Sequence, residues 1–324
     1  MTGPDSEFDL IRRYFAEPAR TSPDVLLGIG DDAALLGVQA GQELVVTVDT
    51  LVEGTHYFPD HPPASLGHKA LAANLSDLAA MGADPLGAVL SLTLPSVDHD
   101  WLAAFSRGFL ALAEQASVPL VGGDTTRGPG AISVTVLGQV PAGQALRRAG
   151  ARPGDRLVVS GALGGAAGGL AFEQQRREQG QPTDEQSPDC ARLFWPNARL
   201  ALGRGLRNRA RAVIDISDGL LADLGHLCAA SGCGARVDWS QVPVDPLLEG
   251  QPEEVVRDWA LAGGEDYELL FALPPTEPLE LLSLSVRTSL TVIGEFTSGS
   301  EIEVVDAEGA RLDVARRGHD HFAG

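Results

Sequence analysis

Apolar positions along this chain recur with two periods, near 3.6 and near 2, which predicts helices interleaved with strands. Residues 7–15 put Phe8, Ile11, Tyr14 and Phe15 on one helical stripe. Residues 25–36 read as strand, acidic turn and strand, and 43–52 is a β-branched run carrying Thr47, Asp49 and Thr50. A helix over 64–81 has Leu66, Ala70, Ala73, Leu78 and Met81 as its apolar stripe and stops at Gly82 and Pro85. A strand over 86–94 precedes a helix over 98–117 that turns Leu102, Phe105, Phe109 and Leu112 inward. Short strands at 119–121 and 131–140 flank a loop over 121–128.

The pattern restarts near 151–155. A strand over 156–160 enters a glycine-rich turn at 161–169 and a helix to 177, followed by an exposed loop at 179–189 and a helix over 192–208. Then come a strand at 212–216, a helix at 220–230, a strand at 235–239 and a helix at 253–261. Strands at 269–273, 291–295 and 301–306 close the chain. The alternation specifies an α/β chain (α+β layered) in two domains, 1–150 and 151–324.

Composition narrows the function. With 324 residues, 44% of them hydrophobic, the chain can bury a core, and its net charge of −20 argues against nucleic acid or an anionic membrane as partner. Lys69 is the sole lysine, so any phosphate must be met by metal ions, arginines or backbone amides. Cys190, Cys228 and Cys233 make no disulfide framework and are expected as buried, inert thiols in a reducing compartment. The polar N-terminus is no secretory signal, and no apolar run reaches the roughly 18 residues of a membrane span. A cytoplasmic protein is expected.

The stretch Val121-Gly122-Gly123-Asp124-Thr125-Thr126-Arg127-Gly128 sets a carboxylate between glycines and hydroxyls. Alone it reads as a turn. However, element ends carry carboxylates at Asp31/Asp32, Asp49, Asp77, Asp124 and Asp215/Asp218. Together they point to a hard-metal site, because Mg²⁺ takes oxygen ligands and lets an acidic cleft accept phosphates. Direct phosphate contacts are expected from the N–H groups of Gly122 and Gly123, from Arg127 and Arg148, and from Ser217 with the N–H groups beside it at the start of the helix at 220. GxxxxGK[ST], HExxH and GxSxG are absent, and residues 161–168 read as a tight strand–helix packing turn before a phosphate contact.

Several blocks together resemble the thiamine-monophosphate kinase family. They are residues 28–35, 48–56, the long Lys69–Ala83 block with Asn74-Leu75-Ser76-Asp77, the stretch 121–128, and Asp215-Ile216-Ser217-Asp218-Gly219. Gly263-Gly264-Glu265-Asp266-Tyr267-Glu268 and the closing Gly318-His319-Asp320-His321-Phe322 complete the set. That family shares a superfamily with aminoimidazole ribonucleotide synthetase, selenophosphate synthetase and hydrogenase-maturation protein E. The resemblance implies the two-domain aminoimidazole ribonucleotide synthetase-like fold. In it, the N-terminal domain binds metal and ATP and pairs across a homodimer in a β-barrel-like interface. The C-terminal domain completes the active-site cleft.

The resemblance further implies ATP-dependent phosphorylation of thiamine monophosphate to thiamine diphosphate by direct in-line transfer, assisted by several Mg²⁺ ions and needing no catalytic base. It assigns Asp32, Thr47, Val48 (through its carbonyl), Asp49, Asp77, Asp124, Asp215 and Asp218 to metal. Gly123, Asp124, Arg148 and Ser217 fall to nucleotide, and His56, Glu265 and His319 to substrate, with His319 standing where an aromatic ring is usual. Asp31 matches the motif without a role. The competing readings are a sister enzyme such as aminoimidazole ribonucleotide synthetase and a non-catalytic metal- or nucleotide-binding dimer.

Overall fold

The computed structural model describes residues 7–16, 22–314 and 318. Its chain divides into two compact units, Met1–Leu78 with Ala83–Gly143, and Ala79–Gly82 with Gln144–Gly324. In chain order the first half holds α1 (Glu7–Ile11, continued by a π turn to Ala16), β1 (Val25–Leu27), β2 (Leu35–Leu36), β3 (Gln42–Val52) and α2 (Pro63–Ala80). After these come β4 (Asp84–Leu94), α3 (His99–Ala116), β5 (Leu120–Arg127) and β6 (Ala131–Pro141).

β1 and β2 form an antiparallel pair. The other four strands make one sheet, ordered β3-β6-β4-β5, with only β4 and β5 parallel. α3 begins at Asp98, whose carboxylate accepts from the N–H groups of Asp100 and Trp101, and it buries Leu102, Phe105 and Phe109 completely. α2 is not the one-sided helix its periodicity suggests. Lys69, Asn74 and Ser76 are buried along with Leu66, Leu71, Leu75 and Leu78, so nearly its whole circumference is enclosed. α2 and α3 touch backbone to backbone. A Cβ on Gly67 would lie 2.2 Å from the Phe105 carbonyl oxygen, and one on Gly108 would lie 1.8 Å from that of Ala64.

The expected loop at 121–128 is instead strand. β5 runs through it along the sheet edge, setting Gly123 against Leu90 and Asp124 against Ser91. Glycine is required at 123, since φ is +155° and a Cβ would stand 1.9 Å from the Leu90 carbonyl oxygen. Turn-type residues here mark a close backbone approach, which composition alone does not separate from a loop.

The second half holds β7 (Arg156–Ser160), α4 (Gly165–Glu178), α5 (Ala191–Phe194), α6 (Leu200–Leu206), β8 (Ala212–Asp215), α7 (Leu220–Ser231) and β9 (Gly234–Asp238). α8 (Glu253–Ala262), β10 (Leu269–Leu273), α9 (Leu279–Val286), β11 (Leu290–Thr297) and β12 (Ile302–Val305) follow. Its sheet is ordered β12-β9-β11-β7-β10-β8, with β12 and β9 the parallel pair. Alternate residues feed two cores. Leu157, Val159, Ile214 and Leu270 pack with α7 and α8, whereas Val158, Val213, Leu269 and Phe271 pack with α6 and α9. Strands buried on both faces read as continuous apolar runs, as Leu269–Leu273 does.

Two differences matter. The helix expected over 192–208 breaks at Trp195–Arg199, because Pro196 bars Trp195 from helical backbone (φ −128°, ψ 60°). α9 escapes the sequence reading because it is short and exposes Leu281 and Leu284 instead of a polar face.

Replacing Gly108 by alanine forces α2 and α3 apart at a backbone contact. A loss of about 1–3 kcal/mol is expected, read as a lower urea midpoint. An unchanged midpoint would show that the helices can separate without cost.

Candidate active site

In the first unit the acidic residues form two groups. The first lies on β3 and α2. Thr47 Oγ1 donates to Asp77 Oδ2, and burial, with the nearby charge of Asp77, pushes the Asp49 carboxyl up to about 6. Among the described residues Asp49 has no cationic partner. The alternation of β3 is inverted: the hydroxyl and carboxylate of Thr47 and Asp49 are half-buried, while Leu44, Val46 and Val48 are exposed by 50%, 57% and 60%. A sheet that merely faced water would show the reverse.

The second group lines a cavity of about 720 Å³. Residues 28–34, with Asp31 and Asp32 among them, form one wall, and Gly122, Gly123, Asp124 and Thr125 another. Asp31, without a role in the sequence, turns back so that its Oδ1 accepts from the Asp32 N–H at 2.8 Å. Arg127 is tied to the Pro95 carbonyl. His56 accepts from the Val52 N–H through Nδ1 at 3.0 Å, which leaves its proton on Nε2. Among the described residues no three His, Cys, Asp or Glu side chains converge as a ready metal cage.

In the second unit, β8 ends at Asp215 opposite Leu269, which brings the turn at 215–219 beside residues 263–268. The Glu265 N–H donates to the Ser217 carbonyl and the Tyr267 N–H to that of Ile216, both at 2.8 Å. Ser217, Asp218 and Glu265 therefore share one corner with Asp215. Gly318 joins them, because a Cβ there would lie 2.9 Å from the Asp218 carbonyl oxygen. His319 lies outside the described residues. Arg148 is exposed, and its carbonyl accepts from Ser231 Oγ.

Two phosphate contacts considered from sequence are already taken. The N–H groups of Ser217, Asp218 and Gly219 all point to Asp223 Oδ2, at 3.1 to 3.2 Å. The N–H groups of Gly164 and Ala166, at the start of α4, go to Asp266. Both helix starts thus hold an internal carboxylate where an external anion would otherwise bind. Residues 161–168 are the packing turn that their glycines suggested. Asp223, Arg192 and Arg199 escaped the sequence reading, in which Asp266 and Glu268 figured only as members of a motif. An acid in the first turn of a helix was the available signal for Asp223.

The three cysteines are buried and free, and burial pushes Cys190 up to about 11 and Cys228 to about 12. A further cavity, of about 550 Å³, lies beside Cys228 and Cys233 and contains none of the expected site residues. No helix among the described residues is long and apolar enough to cross a membrane.

Comparison with known proteins places this geometry. Residues 30–140 match the model of AIR synthase related protein, N-terminal domain, and residues 152–307 that of the C-terminal domain. The fold is accordingly the two-domain, mixed α and β fold of the AIR synthase related proteins. The thiamine-monophosphate kinase of Salmonella typhimurium is 45% identical over 98% of each chain. The structure of that enzyme from Stenotrophomonas maltophilia K279a superposes with a TM-score of 0.82 at 45% identity, covering 90% of this chain and 93% of that one. A structure of AaThiL complexed with AMPPCP and TMP gives 0.75 at 29% identity, covering 97% and 96%. The chain belongs to the thiamine-monophosphate kinase family.

The carboxyl of Asp266 is pushed up from 3.8 to about 7, chiefly by burial. The folded state therefore holds this proton after the unfolded chain has released it, so the contribution of Asp266 to stability falls as pH rises from about 4 to about 7. Asp266→Asn is expected to flatten the pH dependence of urea unfolding across that window. An unchanged slope would remove Asp266 from the account.

Proposed function

We propose that this protein transfers the γ-phosphoryl group of ATP to thiamine monophosphate, giving thiamine diphosphate and ADP. The observation that carries the assignment is the near full-length match to thiamine-monophosphate kinases. The acceptor is a phosphate oxygen that is already anionic. The chain therefore needs no base, and alignment with charge neutralisation suffices.

The donor set suits Mg²⁺. Burial and the charge of Asp77 raise the cost of ionising Asp49, and all the candidate ligands in both units are hard oxygens. Asp32, Thr47, Val48 through its carbonyl, Asp49, Asp77 and Asp124 would hold ions in the first unit, and Asp215 and Asp218 in the second. When bound, the ions would neutralise phosphate charge. Gly123 would meet the nucleotide through its backbone, while Ser217 and Arg148 supply a hydroxyl and a fixed positive charge. His56 offers Nε2–H and Glu265 a carboxylate to the acceptor, and His319 offers a ring that can stack. In this reading residues 1–150 form the metal, ATP and dimerisation domain, residues 151–324 the second domain, and the protein works in the cytoplasm.

The exposed apolar face of β3 fits a homodimer. Leu44, Val46 and Val48 lie side by side on an edge strand, which an isolated protein seldom leaves uncovered. Two four-stranded sheets closing there would give the barrel-like interface.

Purified protein with ATP, Mg²⁺ and thiamine monophosphate should release thiamine diphosphate and ADP in equal amounts. No product, while another acceptor is consumed, would overturn the assignment. Asp124→Asn should cut turnover more than about 100-fold with the fold intact, beyond the loss of an outer partner of a metal ligand. Near-normal turnover would return Asp124 to the ordinary strand residues. Val48→Asp should convert the dimer to monomer in sedimentation, and an unaltered dimer would move the interface elsewhere.

A further inference from the structure

Residues 263–268 are held in a backbone form that their side chains oppose. Glu265 (φ +68°) and Tyr267 (φ +51°) are both left-handed although neither is glycine. Such residues persist only where the surroundings over-determine them, and they gather at functional sites. The two glycines in front are equally committed. A Cβ on Gly263 would lie 2.3 Å from the Trp259 carbonyl oxygen, and one on Gly264 would lie 2.5 Å from that of Ser217.

What holds the segment is a buried charge. Glu268 is fully enclosed. Its Oε2 accepts from Ser160 Oγ and from Arg199 Nε, both at 2.6 Å. Its Oε1 accepts from Arg199 Nη2 and, at 3.5 Å, from Arg192 Nη1. Arg199 thus grips the carboxylate with both arms of its fork, the geometry a lysine cannot reproduce. Arg192 also donates to Asp245 Oδ2 at 3.1 Å. The two arginines flank the break at Pro196, which allows residues seven apart in sequence to reach one acid. Gly161 leaves room for it, since a Cβ there would lie 2.0 Å from Glu268 Oε1.

We propose that the Arg199–Glu268 pair, with Arg192 and Ser160, is a positioning device. It keeps Glu265 and Tyr267 in the left-handed form that presents Glu265 to the phosphorylated acceptor, and so sets acceptor affinity and not nucleotide affinity. This rests on the substrate role proposed for Glu265. Arg199 and Glu268 are positioning residues, because they act through the backbone of Glu265. Neither meets the reactants.

The test uses the full chain with Arg199→Lys, and Glu268→Gln as a second variant that preserves volume. Two readouts separate the positioning claim from the functional reading. Amide hydrogen exchange needs no substrate. The amides of Glu265 and Tyr267, bonded to the Ser217 and Ile216 carbonyls, should lose at least tenfold protection while Phe271 and Val158 keep theirs. In the kinase assay, KM for thiamine monophosphate should rise at least tenfold with KM for ATP within twofold. Arg192→Lys should shift both readouts in the same direction by less, and it carries the test if the other variants fail to fold. Unchanged protection at 265 and 267, protection lost equally across β10, or parallel rises in both KM values would each overturn the proposal. Loss of protection at 265 and 267 in a protein that proves not to use thiamine monophosphate would uphold the positioning and remove only the named acceptor.

Discussion

A carboxylate removed from water must be answered by a positive charge, a hydrogen-bond donor or a proton. In a chain of net charge −20 this constraint governs nearly every loop that matters. Glu268 is answered by Arg199 and Asp155 by Arg211. Glu173 is answered by Arg177, while Asp223 and Asp266 are answered by backbone N–H groups at the starts of helices. Each pairing fixes a segment in place. Asp49 differs from these: it is half-buried with Asp77 as its charged neighbour, and among the described residues no cation pairs with it.

The division of labour follows from that contrast. In the second unit Arg177, Arg192, Arg199 and Arg211 and the backbone amides at two helix starts are spent on the protein's own acids, which fixes the turns at 161–166 and 215–219 but removes the N–H groups of Gly164, Ala166 and residues 217–219 as phosphate ligands. In the proposed reading, phosphate binding would fall to cations not committed inside the fold, Arg148 and divalent ions on the aspartates among them. The inverted alternation of β3 belongs to the same picture, with Thr47 and Asp49 half-buried on the α2 side and Val46 and Val48 exposed, the face that the proposed homodimer would cover.

Much of this could be read from residue order, because hydrophobic periodicity is local. The burial of Leu102, Phe105 and Phe109 on α3 and the double-sided burial of Leu269–Leu273 are direct expressions of it. What escaped was set by contacts between distant segments. Nothing near Gly123 announces that the Leu90 carbonyl passes where its side chain would be, so a strand looked like a loop. Pro196 was visible, but its consequence, that Arg192 and Arg199 both reach Glu268, depends on a residue some seventy positions away. The resemblance singled out Glu265 among the acids of 263–268, and the fold adds that Asp266 and Glu268 are internal supports.

The central claim is that Asp49 and Asp77 are kept together for a cation. Urea unfolding of the wild type and of Asp49→Asn at pH 8, each with and without Mg²⁺, addresses it directly. The account predicts that metal-free Asp49→Asn is the more stable of the two metal-free proteins, and that Mg²⁺ raises the midpoint of the wild type far more than that of the variant. A metal-free variant less stable than the wild type, with Mg²⁺ acting equally on both, would contradict it.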